Sequence, residues 1–142
     1  MKVSARNRLE GAISAVTPGP VSTEVVLDLG GNDRLVAVVT SESAKKLGLT
    51  VGKRAMGIVK APSVTIVTDA ANYRFSARNQ FAGEVTRVDK GAVNSEVAIR
   101  LSGGTTISAV VTNEAVAELQ LAPGKPATAL IKASQVIVGV AA

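Results

Sequence analysis

Along Ser22–Leu29 the chain alternates, with Val25, Leu27 and Leu29 on one face and Glu24, Val26 and Asp28 on the other. This period of two predicts a half-buried strand. Val- and Ile-rich runs of similar length recur at Leu9–Val16, Arg34–Thr40, Lys53–Val59 and Ser63–Val67, each bounded by turn residues. Gly30-Gly31-Asn32-Asp33 is a hairpin signal between two of them. One stretch leaves the rhythm: Ser41–Leu47 predicts a helix of about two turns. Thr40 or Ser41 can cap its start, Glu42 suits its positive end, and Gly48 is placed to stop it.

The same pattern is written twice. Displacing the sequence by 72 positions lays residues 4–68 on residues 76–140 without a gap, and more than a third of the aligned positions are identical. Ser4-Ala5-Arg6-Asn7 returns as Ser76-Ala77-Arg78-Asn79, Gly11 as Gly83, and Ala37–Thr40 as Ala109–Thr112. Gly52-Lys53 returns as Gly124-Lys125, and Lys60-Ala61 as Lys132-Ala133. A second helix falls at Asn113–Leu119, capped by Thr112 or Asn113, and Ser102-Gly103-Gly104-Thr105 replaces the first hairpin turn. Two domains are expected, 1–70 and 71–142. Five short strands and one small helix in each predict an all-β protein of two tandem, partly open five-stranded barrels of the OB type. A unit of about 70 residues makes a marginal core, so the lobes gain by packing together and by self-association. The connection Thr68–Phe75 is too short for a free tether and is expected to span docked lobes.

Composition narrows the chemistry. The chain has 142 residues, too few for a large multidomain enzyme, and contains neither histidine nor cysteine. That excludes disulfides, thiolate or imidazole metal ligation and the His-dependent nucleophile pairs. With no clustered carboxylates either, nothing supplies a general base, and a binding protein is expected rather than an enzyme. Apolar residues reach 46% and aromatics only 2%, namely Tyr73, Phe75 and Phe81. The formal charge of +5, from 16 basic and 11 acidic residues, permits an anionic partner. An OB module for single-stranded nucleic acid is the alternative reading, but it needs stacking aromatics in a basic groove. Three aromatics clustered at positions 73–81 cannot furnish a platform in each lobe, so no nucleic-acid partner is expected. No apolar run of about 18 residues predicts a membrane span. Met1–Asn7 lacks the apolar stretch of a signal peptide, so a cytoplasmic location is expected.

Three sets of residues could carry chemistry. The first is Ser4-Ala5-Arg6 with Ser76-Ala77-Arg78: small residues admit a ligand close to the backbone, and the hydroxyl and guanidinium fork donate to an oxyanion. The competing reading is that Arg6 and Arg78 are surface salt-bridge partners. The second is Lys60-Ala61-Pro62-Ser63 with Lys132-Ala133-Ser134-Gln135, a lysine at a strand end that could equally be a solvated edge charge. The third is Thr40, Ser41 and Ser43 with Thr112 and Asn113, where helix-start N–H groups can meet an anion or simply be capped. None of the residues singled out in these sets is an Asp or Glu. A donor-only cage disfavours a monohydrogen phosphate, whose proton wants an acceptor, and favours a fully deprotonated dianion.

These blocks, Ser-Ala-Arg-Asn, a Val-Val-Thr-Ser-Glu-Ser helix start and Lys-Ala-Ser or Lys-Ala-Pro, occur in order and twice, and they resemble the Mop domain, the molybdate-binding branch of the TOBE domains. Two copies in tandem look like a di-Mop molbindin of the ModG type. The resemblance implies paired OB folds assembled as a homotrimer that holds molybdate or tungstate between domains and subunits, for molybdenum storage or buffering. Carried over, it implies oxyanion-binding residues Ser4, Ala5, Arg6, Lys60, Ala61 and Ser63 in the first copy. In the second they are Ser76, Ala77, Arg78, Lys132, Ala133 and Ser134, with Thr40 or Thr112 supplied by a neighbouring domain. A further class on the threefold axis would involve Ser41, Ser43 and Asn113. The chain departs from the pattern where Pro62 stands opposite Ser134 and Asn113 opposite Ser41.

Overall fold

The computed structural model describes residues 1–142. Its first half runs β1 (Asn7–Thr17), β2 (Ser22–Gly30), β3 (Asp33–Thr40), α1 (Ser41–Leu47), β4 (Arg54–Val59) and β5 (Thr65–Val67). The second runs β6 (Asn79–Lys90), β7 (Asn94–Leu101), β8 (Thr106–Thr112), α2 (Asn113–Leu119), β9 (Pro126–Ile131) and β10 (Ile137–Gly139). The predicted strands and both helices are present. Ala61–Ser63 and Ala133–Gln135, however, form short 3₁₀ turns, so the fifth strand starts later than its apolar pattern suggests.

The helices end as their capping chemistry requires. Thr40 and Thr112 stand at the N-caps, their Oγ1 atoms accepting from the N–H groups of Ser43 and Ala115. Gly48 adopts the left-handed conformation at the end of α1, and Gln120 does the same after α2 with φ of 53°. Lys53 and Lys125, each following a glycine, donate their Nζ protons to Leu47 and Leu119, the last carbonyls of the two helices.

Ten strands make two five-stranded sheets, ordered β10-β4-β1-β2-β3 and β5-β9-β6-β7-β8. Each sheet takes four strands from one half of the chain and its fifth from the other. β10 pairs antiparallel with β4, Val138 opposite Gly57, and β5 pairs with β9, Ile66 opposite Ala129. β1 and β6 are long enough to pair with two neighbours, and each carries an irregularity midway, between Ile13 and Ala15 and between Val85 and Arg87. Such bulges increase local twist and curl a sheet. The outer strands β3 and β10 of the first sheet approach each other, as do β5 and β8 of the second, giving two OB-like half-barrels.

One cluster of 25 buried apolar residues fills both sheets, so the halves share a core rather than holding one each. Leu27, Leu35, Ile99 and Ile107 are fully buried in it, on the inward faces that the alternation marks. At the seam the two hairpin turns meet: a Cβ on Gly31 would lie 2.5 Å from the Gly103 Cα, and these two glycines occupy the same position in the two copies. Only residues without a side chain allow that approach.

Exchange of the last strand predicts a displaced effect. Val138→Asp puts a charge on a buried position of β10, which should lower unfolding stability by about 3 kcal/mol. Hydrogen exchange should show lost protection in β4, in the opposite half of the sequence. Loss confined to β9 instead would contradict the exchanged pairing.

Candidate functional site

Ser4-Ala5-Arg6 immediately precedes β1, and Lys60 immediately follows β4. Because β1 and β4 pair antiparallel with Asn7 opposite Val59, the two segments meet at one end of the sheet. Asn79 opposite Ile131 brings Ser76-Ala77-Arg78 to Lys132 in the same way. The register of the central strands therefore joins, in each half, motifs more than fifty residues apart.

Around the second pair lies an open groove of about 480 Å³. Ser76, Ala77, Arg78, Lys132, Ala133 and Ser134 all line it. Val38, Ser63 and Thr65 come from the other half. Ser63 and Thr65 arrive through the exchanged strand, Thr65 lying opposite Leu130. Ser63, grouped by sequence order with Ser4, Arg6 and Lys60, thus lines the groove of the opposite set. Ser4, Ala5, Arg6, Lys60 and Ala61 hold the equivalent positions at the end of the first sheet. A larger groove of about 550 Å³ follows the linker, but it presents Asp69 and Glu118 beside Lys125 and none of the Ser-Ala-Arg or Lys-Ala residues.

The arginines are not bare donors. Arg78 makes a bidentate bridge to Glu24 on β2, Nη1 to Oε2 at 2.7 Å and Nη2 to Oε1 at 2.8 Å. Glu24 lies opposite Val38 in the sheet register, at the groove's edge. Its hydrogen bonds, and then its charge, raise the Arg78 guanidinium above its ordinary range. Arg6 faces Glu96, the equivalent of Glu24, with Nε 3.8 Å from Oε2, while Arg87 Nη2 lies 3.7 Å from the other carboxylate oxygen. A cage of donors alone is therefore corrected: each arginine is met by a carboxylate that lies far from it in sequence. Two of Arg78's five N–H groups are engaged and three remain. Lys60 and Lys132 are exposed, and neither is among the ion pairs of the chain.

The helix starts do not join this groove. Thr40 and Thr112 are occupied as caps, and Ser43 Oγ accepts from Thr40. Ser41 Oγ donates to the Gly19 carbonyl and contacts buried Thr23. Asn113 accepts from buried Ser95 and donates to Gly91. Within one chain, Thr40, Ser41, Ser43, Thr112 and Asn113 thus serve as caps and loop tethers.

Sequence reasoning missed the fourth residue of the tetrad. Asn7 and Asn79 are both 2% exposed. Asn79 donates Nδ2 to the Val36 carbonyl and accepts from the Val36 N–H through Oδ1, at 2.8 and 2.7 Å. Asn7 makes the same pair with Ser108 on β8. Each side-chain amide thus imitates a strand residue and ties one half to the other. Exact repetition of Asn7 as Asn79 and of Glu24 as Glu96 was the available signal.

The TOBE domain profile matches residues 3–66 and 76–138. The molybdenum transport protein ModE of Herbaspirillum seropedicae is 46% identical over 140 residues, covering 99% of this chain and 52% of that protein. The molybdenum-pterin-binding protein MopA of Rhodobacter capsulatus is 40% identical over 137 residues, covering 96% and 52%. The chain spans about half the length of these curated relatives. The crystal structure of the cytoplasmic molybdate-binding protein ModG, with molybdate bound, superposes with a TM-score of 0.95 at 54% identity, covering 99% of this chain and all of that one.

Removing the amide of Asn79 leaves the Val36 N–H and C=O unpaired at a buried seam. Asn79→Ala should cost about 2–5 kcal/mol, read as a lowered midpoint in urea unfolding. A change below about 1 kcal/mol would show that water replaces the amide without loss.

Proposed function

The chain belongs to the TOBE domain family, and from that premise we propose that it binds molybdate at the two sheet ends where Ser-Ala-Arg meets Lys-Ala. The observation that carries this is the convergence of Ser76, Ala77, Arg78, Lys132, Ala133 and Ser134 on one groove. Support comes also from the likeness over its whole length to ModG, a cytoplasmic molybdate-binding protein.

The chemistry suits a tetrahedral dianion. The three remaining N–H groups of Arg78, the Lys132 ammonium and the hydroxyls of Ser76 and Ser134 all donate. Glu24 gives one acceptor site on each oxygen to Arg78, so its negative charge is paired with the guanidinium. Tungstate, with the same charge and shape, is bound as well. The role is retention and buffering of molybdenum in the cytoplasm, without catalysis. The Arg78 groove is open, and neighbouring copies of the chain close it and its counterpart: the protein works as a homotrimer built from the repeat units 1–70 and 71–142, with ions at its domain and subunit seams. Thr40 and Thr112 from a neighbouring domain, and Ser41, Ser43 and Asn113 about the threefold axis, are the further oxyanion contacts that assembly would add.

A ligand specific for the folded assembly stabilises it by mass action. Molybdate at a hundredfold excess over Kd should add about 2.7 kcal/mol, visible as a rise of roughly 5–10 °C in the melting temperature. Arg78→Ala or Lys132→Ala should shrink that rise by at least half, and native mass spectrometry should show a trimer carrying ions. A melting curve that molybdate leaves unmoved would defeat the proposal.

A further inference from the structure

The register lets every position around the Arg78 groove be compared with its counterpart around Arg6. Thr65, on the exchanged strand opposite Leu130, corresponds to Ile137 opposite Ile58. Ser134, in the 3₁₀ turn after Lys132, corresponds to Pro62 after Lys60. Ser63 corresponds to Gln135, and only Ser76 keeps its hydroxyl, as Ser4. One groove is therefore rimmed by four hydroxyls. The equivalent end of the first sheet, around Arg6, carries one, together with a longer amide, a proline that lacks both hydroxyl and N–H, and an isoleucine that is 59% exposed.

The arginines differ in the same direction. Glu24 holds both terminal nitrogens of Arg78 within hydrogen-bond distance, which fixes the plane of the guanidinium. Glu96 is divided between Arg6 and Arg87, and neither contact is closer than 3.7 Å. Position 15, the counterpart of Arg87, is alanine, so Glu24 has no second claimant. Local charge does not separate the two grooves. Arg78 is balanced by Glu24, and Arg6 and Arg87 by Glu96 and Asp89, the latter bridged to Arg87. What differs is the number of donors and how firmly the guanidinium is seated.

We infer that the two grooves are unequal: the Arg78 groove is the tight oxyanion site and the Arg6 groove the weak one, so the protein loads its ion in two steps. The inference rests on the molybdate reading above and adds which residues grade it. Ser134, Thr65 and Glu24 strengthen one site; Pro62, Ile137 and the divided Glu96 weaken the other. Hydrogen bonds to a charged ligand are each worth enough that losing two hydroxyls separates the sites by about tenfold or more. A low level of free ion then fills one groove in each chain, and the second responds at higher levels.

Calorimetric titration of the assembled protein with molybdate tests this. Wild type should show two affinity classes. Arg78→Ala should remove the tight class, and Arg6→Ala only the weak one. Pro62→Ser combined with Ile137→Thr changes exposed rim positions and should tighten the weak class by about tenfold. Equal losses from Arg6→Ala and Arg78→Ala, or loss of the tight class from Arg6→Ala, would overturn the ranking while leaving molybdate binding intact. Absence of any binding heat in the wild type would instead remove the functional reading itself, and the ranking with it.

Discussion

Exchange of the fifth strand is the constraint on which the rest depends. After β4 the chain enters Lys60-Ala61-Pro62-Ser63-Val64, and after β9 it enters Lys132-Ala133-Ser134-Gln135-Val136. A tight hairpin back onto the preceding strand calls for residues with positive φ, usually glycine or asparagine. Neither segment contains one, and none of its residues has positive φ. Lys60, Val64, Lys132 and Val136 are all extended. The 3₁₀ turn between them therefore carries the chain onward instead of back, and the next strand meets the sheet of the other half. Neither sheet has its five strands until both halves are present, which is why one apolar cluster serves the two.

That arrangement also builds the grooves. Ser63 and Thr65 reach the Arg78 groove only because β5 has crossed over, and Val38 is beside it because Asn79 holds β3 against the second half. Within a single tetrad, Arg78 lines the groove while the next residue, Asn79, closes the seam. The best-repeated segment of the chain therefore answers to two demands at once, and repetition alone could not separate them. A ligand in the groove meets atoms from both halves and favours their docked state.

Alternation and turn residues were enough to locate the strands, since inward positions such as Val25, Leu27 and Leu35 stand out at a period of two. The helices were legible from Thr40 and Gly48. In the second copy, the stop at Gln120 was hidden, because a non-glycine residue takes the left-handed conformation there. The approach of Ser-Ala-Arg to Lys-Ala followed from the repeat and a family resemblance, and strand register explains it. Three things were not legible. Partner choice in a sheet is a long-range matter that no local pattern encodes, so the exchange was invisible except through the missing hairpin residues. Asn79 showed nothing beyond its repetition because its bonds go to a backbone more than forty residues away. Glu24 sat unmarked on the polar face of a strand, although its repetition as Glu96 hinted that it faces something fixed.

A gapless duplication carries a further consequence. Positions that hold the fold agree between the copies: Asn7 with Asn79, Glu24 with Glu96, Gly31 with Gly103. Each of these meets the opposite half, so a change in one copy strains both sheets. Ser134, Thr65 and Ser63 bear no such load, for their side chains lie at the rim of an open groove and two of the three are exposed. Their counterparts Pro62, Ile137 and Gln135 could diverge at little cost to stability, since surface substitutions usually matter by less than about 0.5 kcal/mol. Binding strength can thus be altered in one half while the framework stays common to both.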